Sequence, residues 1–233
     1  TLITSNTSGI PIHFMSEGRS EDFQQHFCGT HFFNPARYLK LFEIIPGPKT
    51  STEVLDFLNS YGEKFLGKTS VVAKDTPAFI GNRVGIYGIQ SLFHLVKEMD
   101  LTVEEVEALT GPVIGRPKSA TFRTTDVVGL DTLVHVANGI YENCPSDEAH
   151  ELFKLPDFVN KMVENKWFGS KTGQGFYKKV DKDILTLDLN TLEYRAAKRT
   201  SFATLELTKT IDKPINRFKV LVKGKDKAGE FYR

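Results

Sequence analysis

Lys74-Asp75-Thr76-Pro77-Ala78-Phe79-Ile80-Gly81-Asn82-Arg83 is the stretch at which the pattern of this chain changes. Before it, short β-branched and aromatic runs alternate with a helical segment. After it, helical periodicity takes over. Asp75 or Thr76 offers the side-chain oxygen of an N-cap, and Pro77 suits a first helical turn, where its missing N–H costs nothing. Phe79, Ile80, Val84, Tyr87, Leu92, Leu95 and Val96 then predict one long helix to about Glu98.

Towards the N-terminus, Thr69–Val72 reads as a strand and Ser51–Phe65 as a helix, with Val54, Leu55, Leu58, Tyr61 and Phe65 at helical spacing. Lys40–Ile45 is a strand stopped by Pro46-Gly47-Pro48, and Phe27–Phe33 is another. Thr1–Thr4 is a shorter one, closed by the turn and cap residues Ser5-Asn6-Thr7-Ser8-Gly9. This alternation indicates an α/β sheet over residues 1–75. Towards the C-terminus, Thr102 caps a helix to about Leu109, with Glu105 placed for a capping box. Asp126–Asn138 and Asp157–Lys166 read as further helices, so 76–180 is expected to be a mostly helical domain. Beyond Val180 the pattern weakens. Ile184, Leu185, Leu187 and Leu189 suggest a short strand, Ser201–Thr210 and Pro214–Val222 suggest helices, and Lys223–Gly229 reads as a polar loop. Residues 181–233 are taken as an extension or connector.

Composition is that of an ordinary globular chain: 233 residues, 40% hydrophobic, net charge +1. Nothing in that balance favours a nucleic-acid surface or an acidic partner. Cys28 and Cys144 stand far apart without metal-ligand spacing, so no metal is expected and both read as reduced thiols of a cytoplasmic protein. No run approaches the roughly 20 apolar residues of a membrane helix, and no signal-peptide pattern opens the chain. Thr1-Leu2-Ile3-Thr4 reads like the middle of a strand, which suggests a chain cut from a longer one.

The chemistry concentrates in His31-Phe32-Phe33-Asn34-Pro35 and Leu41-Phe42-Glu43-Ile44-Ile45. Histidine is the side chain best matched to proton transfer near neutral pH. A neighbouring carboxylate orients its ring and stabilises the imidazolium. Neighbouring strands lie about 5 Å apart, so a hairpin-like return would bring His31 against Glu43. The residues alone also permit a satisfied structural histidine. Glu43 is the more unusual of the two, because an unpaired carboxylate in an apolar strand is costly to bury.

His31–Pro35 followed by the apolar-Glu-apolar strand resembles the signature of the L-3-hydroxyacyl-CoA dehydrogenase family. Four further runs follow in that family's order. They are Ser5-Asn6-Thr7-Ser8, Lys74–Arg83 (with Ala78 where the family usually has Gly), Asp126-Val127-Val128-Gly129-Leu130-Asp131, and Lys171-Thr172-Gly173-Gln174-Gly175-Phe176-Tyr177. The resemblance implies the C-terminal part of a Rossmann-type nucleotide domain, then a helical 6-phosphogluconate-dehydrogenase-like C-terminal domain. It implies NAD as cofactor and an acyl-CoA thioester as substrate, oxidised from the 3-hydroxy to the 3-keto form in fatty-acid β-oxidation. It makes His31 the general base and Glu43 its orienting partner. It places Ser8 and Asn82 on the substrate, and Asn34 and Lys171 at the cofactor. Ser8 is also readable as a helix cap, Asn82 as a structural hydrogen bonder, Lys171 as a solvated turn lysine, and Gly173 and Gly175 as turn residues.

The family's strand–Gly-x-Gly-x-x-Gly–helix fingerprint, with its later acidic residue, does not occur in these residues. The NAD site is therefore expected to be incomplete and the chain alone inactive. The segment after 180 resembles the connector to a second helical domain in multifunctional fatty-acid oxidation proteins. The competing expectation is a non-catalytic helical domain that dimerises or docks partners, and a homodimer or larger assembly is compatible with both. A hydrolase reading of His, Glu and Ser lacks a Gly-x-Ser-x-Gly elbow. Acyl chain length is not readable from these residues.

Overall fold

In a computed structural model describing residues 1–233, the strand-forming runs make a four-stranded mixed sheet. Its elements are β1 (Ile3–Ser5), α1 (Ile12–Ser16), α2 (Glu21–Gln25), β2 (Phe27–Phe32), β3 (Leu41–Pro46), α3 (Thr52–Lys64) and β4 (Thr69–Val72). The order is β1-β2-β3-β4; β1 runs parallel to β2, β2 antiparallel to β3, and β3 parallel to β4. Side chains alternate across the sheet. Cys28, Phe42 and Ile44 therefore face Val54 and Leu58 of α3. Phe27 and Ile45 face Ile12 of α1, Ala73 and Phe79. Burial on both faces explains why β2 and β3 read as near-continuous apolar runs. Gly29 has a packing reason, since a Cβ there would lie 2.8 Å from Ile12 Cδ1.

Three features of residues 1–100 depart from the sequence reading. α1 and α2 were not expected, and each is too short to show a period. The long helix α4 spans Gly81–Glu98 and starts later than Pro77. Ala78 and Phe79 take left-handed φ of 64° and 51° and delay it. Asp75 caps the first turn of α1 instead, accepting from Ile12 N and His13 N. α4 receives its acceptor from Glu43, which takes the N–H groups of Ile80 and Gly81.

Further along, α5 (Val103–Thr110) carries the expected Thr102/Glu105 capping box. The single helix expected over Asp126–Asn138 is two, α6 (Phe122–Val128) and α7 (Leu130–Asn143). Gly129, at φ 101°, separates them. Glu107 accepts from the N–H groups of Thr121, Phe122 and Arg123 and so closes the start of α6. α8 (Asp157–Glu164) lies where expected. Where one strand was anticipated there is an antiparallel sheet of β5 (Tyr177–Val180), β6 (Asp183–Leu187) and β7 (Tyr194–Ala196). The C-terminal helices are α9 (Ala203–Glu206), α10 (Pro214–Leu221) and α11 (Lys227–Phe231). The last occupies part of the anticipated polar loop, capped by Asp226. Phe93, Phe122, Phe158 and Phe176 pack ring against ring in this part of the chain.

By internal contacts the chain divides into residues 1–88 with 136–154, and residues 89–135 with 155–233, so the division falls within α4 and α7. No helix is long and apolar enough to cross a membrane.

Candidate active site

His31 and Glu43 stand directly opposite one another in the antiparallel β2–β3 register. Both are buried, at 3% and 0% exposure. His31 Nδ1 lies 2.7 Å from Glu43 Oε2. The other carboxylate oxygen, Oε1, accepts from Ile80 N at 3.0 Å and Gly81 N at 2.7 Å. Burial pushes the Glu43 carboxyl up, but the His31 hydrogen bond and these two amides outweigh it and hold it below its ordinary value. An ionised Glu43 is an acceptor only, so His31 Nδ1 carries the hydrogen of that bond. In the neutral ring Nε2 is then the free base. Ser8 Oγ sits 3.1 Å from Nε2. The rings of Phe33 and Phe79 meet the imidazole edge-on, at centroid distances of 4.6 and 5.6 Å.

The geometry is that of an oriented base. A buried carboxylate fixes one nitrogen and the tautomer, aromatic walls fix the ring plane, and the second nitrogen points to a hydroxyl. The other anticipated site residues are placed less tightly. Asn34 is exposed just beyond β2, and Asn82 is half-buried in the first turn of α4. Lys171 belongs to the second unit, where Asp131 holds its ammonium group. The aromatic walls, the two amides on Glu43 and the role of Asp75 escaped the sequence reading. Asp75, one of the two caps that the sequence offers for α4, serves α1, and its place in a dense motif is a usable signal.

A second buried carboxylate explains the glycine-rich run at 169–177. Asp126, 3% exposed, accepts from Phe176 N and Tyr177 N at 2.9 Å each. A Cβ on Gly175 would collide with the Asp126 carboxylate and stand 2.6 Å from Gly169 Cα. Gly173 is a turn residue at φ 72°, so the two glycines serve different needs. Burial raises the Asp126 carboxyl to about 6, against the pull of the two amides.

Two models of one family match the chain: "3-hydroxyacyl-CoA dehydrogenase, NAD binding domain" over residues 1–76, and its C-terminal domain over residues 79–179. A Bacillus subtilis protein named "Probable 3-hydroxyacyl-CoA dehydrogenase" is 51% identical over 229 residues, covering 98% of this chain and 29% of that protein. The mitochondrial hydroxyacyl-coenzyme A dehydrogenase of Sus scrofa is 36% identical over 178 residues, covering 76% of this chain and 54% of that protein. Among solved structures, FadB2 of M. tuberculosis superposes with a TM-score of 0.66 at 29% identity, over 77% of this chain and 60% of that one. The (S)-3-hydroxybutyryl-CoA dehydrogenase PaaH1 of Ralstonia eutropha gives 0.62 at 28% identity, over 75% and 59%. The chain thus spans between about a third and three fifths of the length of these proteins.

Proposed function

The chain belongs to the 3-hydroxyacyl-CoA dehydrogenase family, and from that premise we propose that its His31–Glu43 pair moves the proton in the oxidation of an L-3-hydroxyacyl-CoA to the 3-ketoacyl-CoA. The observation that carries this reading is the buried 2.7 Å contact of His31 with Glu43, which leaves Nε2 as the free base beside Ser8. His31 Nε2 takes the proton of the substrate 3-hydroxyl, and Glu43 stabilises the imidazolium that results. Ser8 and Asn82 orient the substrate oxygen and thioester. Asn34 and Lys171 contact the cofactor.

NAD, when bound, supplies the acceptor for the C3 hydride. The residues present fit its reacting end better than its diphosphate. A diphosphate is commonly held at a free helix N-terminus. α1, α2, α3 and α4 already carry protein acceptors there, from Asp75, Ser20, Ser51 and Glu43 respectively. These 233 residues by themselves are therefore expected to turn over no substrate. The partition into a nucleotide domain over 1–75, a helical domain over 76–180 and a connector beyond belongs to the same proposal. So do a cytoplasmic setting, consistent with two free cysteines, and self-association. Exposed Val127, Val128 and Ile215 in the second unit favour the last of these. A monomer in sedimentation equilibrium at high concentration would count against it.

The decisive test is NADH oxidation with acetoacetyl-CoA by a longer polypeptide joining this sequence to a Gly-x-Gly-x-x-Gly unit. His31→Gln should lower kcat by about 10²–10⁴-fold, the usual contribution of a positioned acid–base group. Glu43→Gln should lower it less and shift its pH profile. An unchanged kcat in His31→Gln would remove the proposal.

A further inference from the structure

Ser8 poses a positioning problem. It is exposed and lies in the irregular connection between β1 and α1, yet its hydroxyl meets the one free nitrogen of His31. A loop serine free to swing would spend little of its time there. Two side chains from elsewhere in the fold peg that connection at its ends. Asn6 Oδ1 accepts from Phe32 N at 2.9 Å and ties the near end to β2, one residue past His31. At the far end Asp75 accepts from Ile12 N at 2.8 Å through Oδ1 and from His13 N at 2.9 Å through Oδ2. His13 Nδ1 lies 2.5 Å from the same Oδ2. Between the pegs, Thr7 Oγ1 accepts from Ile10 N at 3.0 Å and tightens the turn.

Asp75 also belongs to the other wall of the site. It stands just before Ala78 and Phe79, the left-handed residues that lay Phe79 against His31. The N–H groups that follow, of Ile80 and Gly81, hold Glu43. Ile12, the first residue of α1, packs with Phe79 in one buried cluster. One carboxylate, 13% exposed, therefore joins the segment bearing Ser8 to the segment that immobilises Glu43. A carboxylate on backbone amides makes charge-assisted bonds of above-average strength, which suits a peg.

We propose that Asp75 and Asn6 are positioning residues of the proton-transfer site, and that they act by holding the Ser8 hydroxyl at His31 Nε2. The role rests on the reading of His31 as the base. Its structural half is testable without turnover. In the 233-residue chain, the His31 imidazole ¹⁵N resonances report the hydrogen bond at Nε2. Ser8→Ala sets the size of the change when that bond is lost. Asp75→Ala and Asn6→Ala should each reproduce most of that change, and combining either with Ser8→Ala should add nothing further. Asp75→Asn, which keeps the shape and one acceptor, should give a smaller change in the same direction and serves if Asp75→Ala does not fold. Wild-type His31 Nε2 resonances in the Asp75 variants, or changes that add in full to that of Ser8→Ala, would overturn the proposal.

In the longer, NAD-binding polypeptide, Asp75→Ala should lower kcat about tenfold, within the range set by misplaced catalytic geometry. KM for the thioester should move little, and the loss should disappear in a Ser8→Ala background. Coupled resonances with a fully active His31→Gln would keep the pegs and reject the dehydrogenase chemistry. Uncoupled resonances with an inactive His31→Gln would do the reverse.

Discussion

Two buried carboxylates carry opposite electrostatic loads. Glu43 is held below its ordinary value by His31 and two amides, despite its burial. The stability it contributes is present above its unfolded value and is lost as pH falls through its lower folded value. Asp126 is raised by burial from 3.8 to about 6. Its folded form binds the proton more tightly than its unfolded form, so its contribution is full below about 4 and is lost as pH rises through about 6. The difference across that window is of the order of 3 kcal/mol. Urea titrations at pH 4.5 and 7 should therefore show Asp126→Asn removing a component of stability that falls with rising pH. Asp126→Asn also costs one amide its acceptor, so the slope, not the absolute stability, is the quantity to compare. Identical slopes in the two proteins would mean that Asp126 ionises without penalty. Of the two carboxylates, Glu43 was conspicuous in the sequence because it interrupts an apolar run. Asp126 stood in the sequence as the first residue of the Asp126–Asp131 run, and only the fold shows what it does there: it takes the N–H groups of Phe176 and Tyr177.

Element ends settled within a few residues are legible where the run is long enough to show a period, which α2 and α11 are not, and ends settled from afar are not. The Thr102/Glu105 capping box is local, and α5 starts where it predicts. Thr102→Ala should cost about 1 kcal/mol of stability, read by urea denaturation. α4 is the contrary case, because its acceptor, Glu43, comes from the middle of β3. Gly129 lies inside the helix expected over Asp126–Asn138, and its φ of 101° splits that run into α6 and α7. The glycines of the 169–177 segment separate turn need from packing need. Gly173→Ala incurs the left-handed penalty of roughly 1–2 kcal/mol. Gly175→Ala forces a methyl group into Asp126 and Gly169, an overpacking that typically costs about 1–3 kcal/mol and displaces backbone. Melting both variants should show Gly175→Ala as the more damaged. The reverse order would mean that the segment yields at Asp126.

For the whole molecule, binding of the cofactor is the sharpest expectation. The family match assigns residues 1–76 to an NAD binding domain, while these residues contain no Gly-x-Gly-x-x-Gly and their helix starts are already capped. Fluorescence titration of the 233-residue chain should accordingly detect no NADH binding in the micromolar range, and tight binding would require a diphosphate site of another kind. The sequence by itself determined the strand and helix periods and the change of pattern near Asp75. It also let His31 and Glu43 meet across a hairpin-like return, a pairing that the β2–β3 register then made. The periods follow from side-chain geometry repeated every two or every 3.6 residues. Only the tertiary structure decided which carboxylate serves which helix: Asp75 for α1, Glu43 for α4, Glu107 for α6. A helix start needs an acceptor for its free N–H groups, but that acceptor is chosen by proximity in space, and a carboxylate far along the chain fills the place as well as a neighbour does.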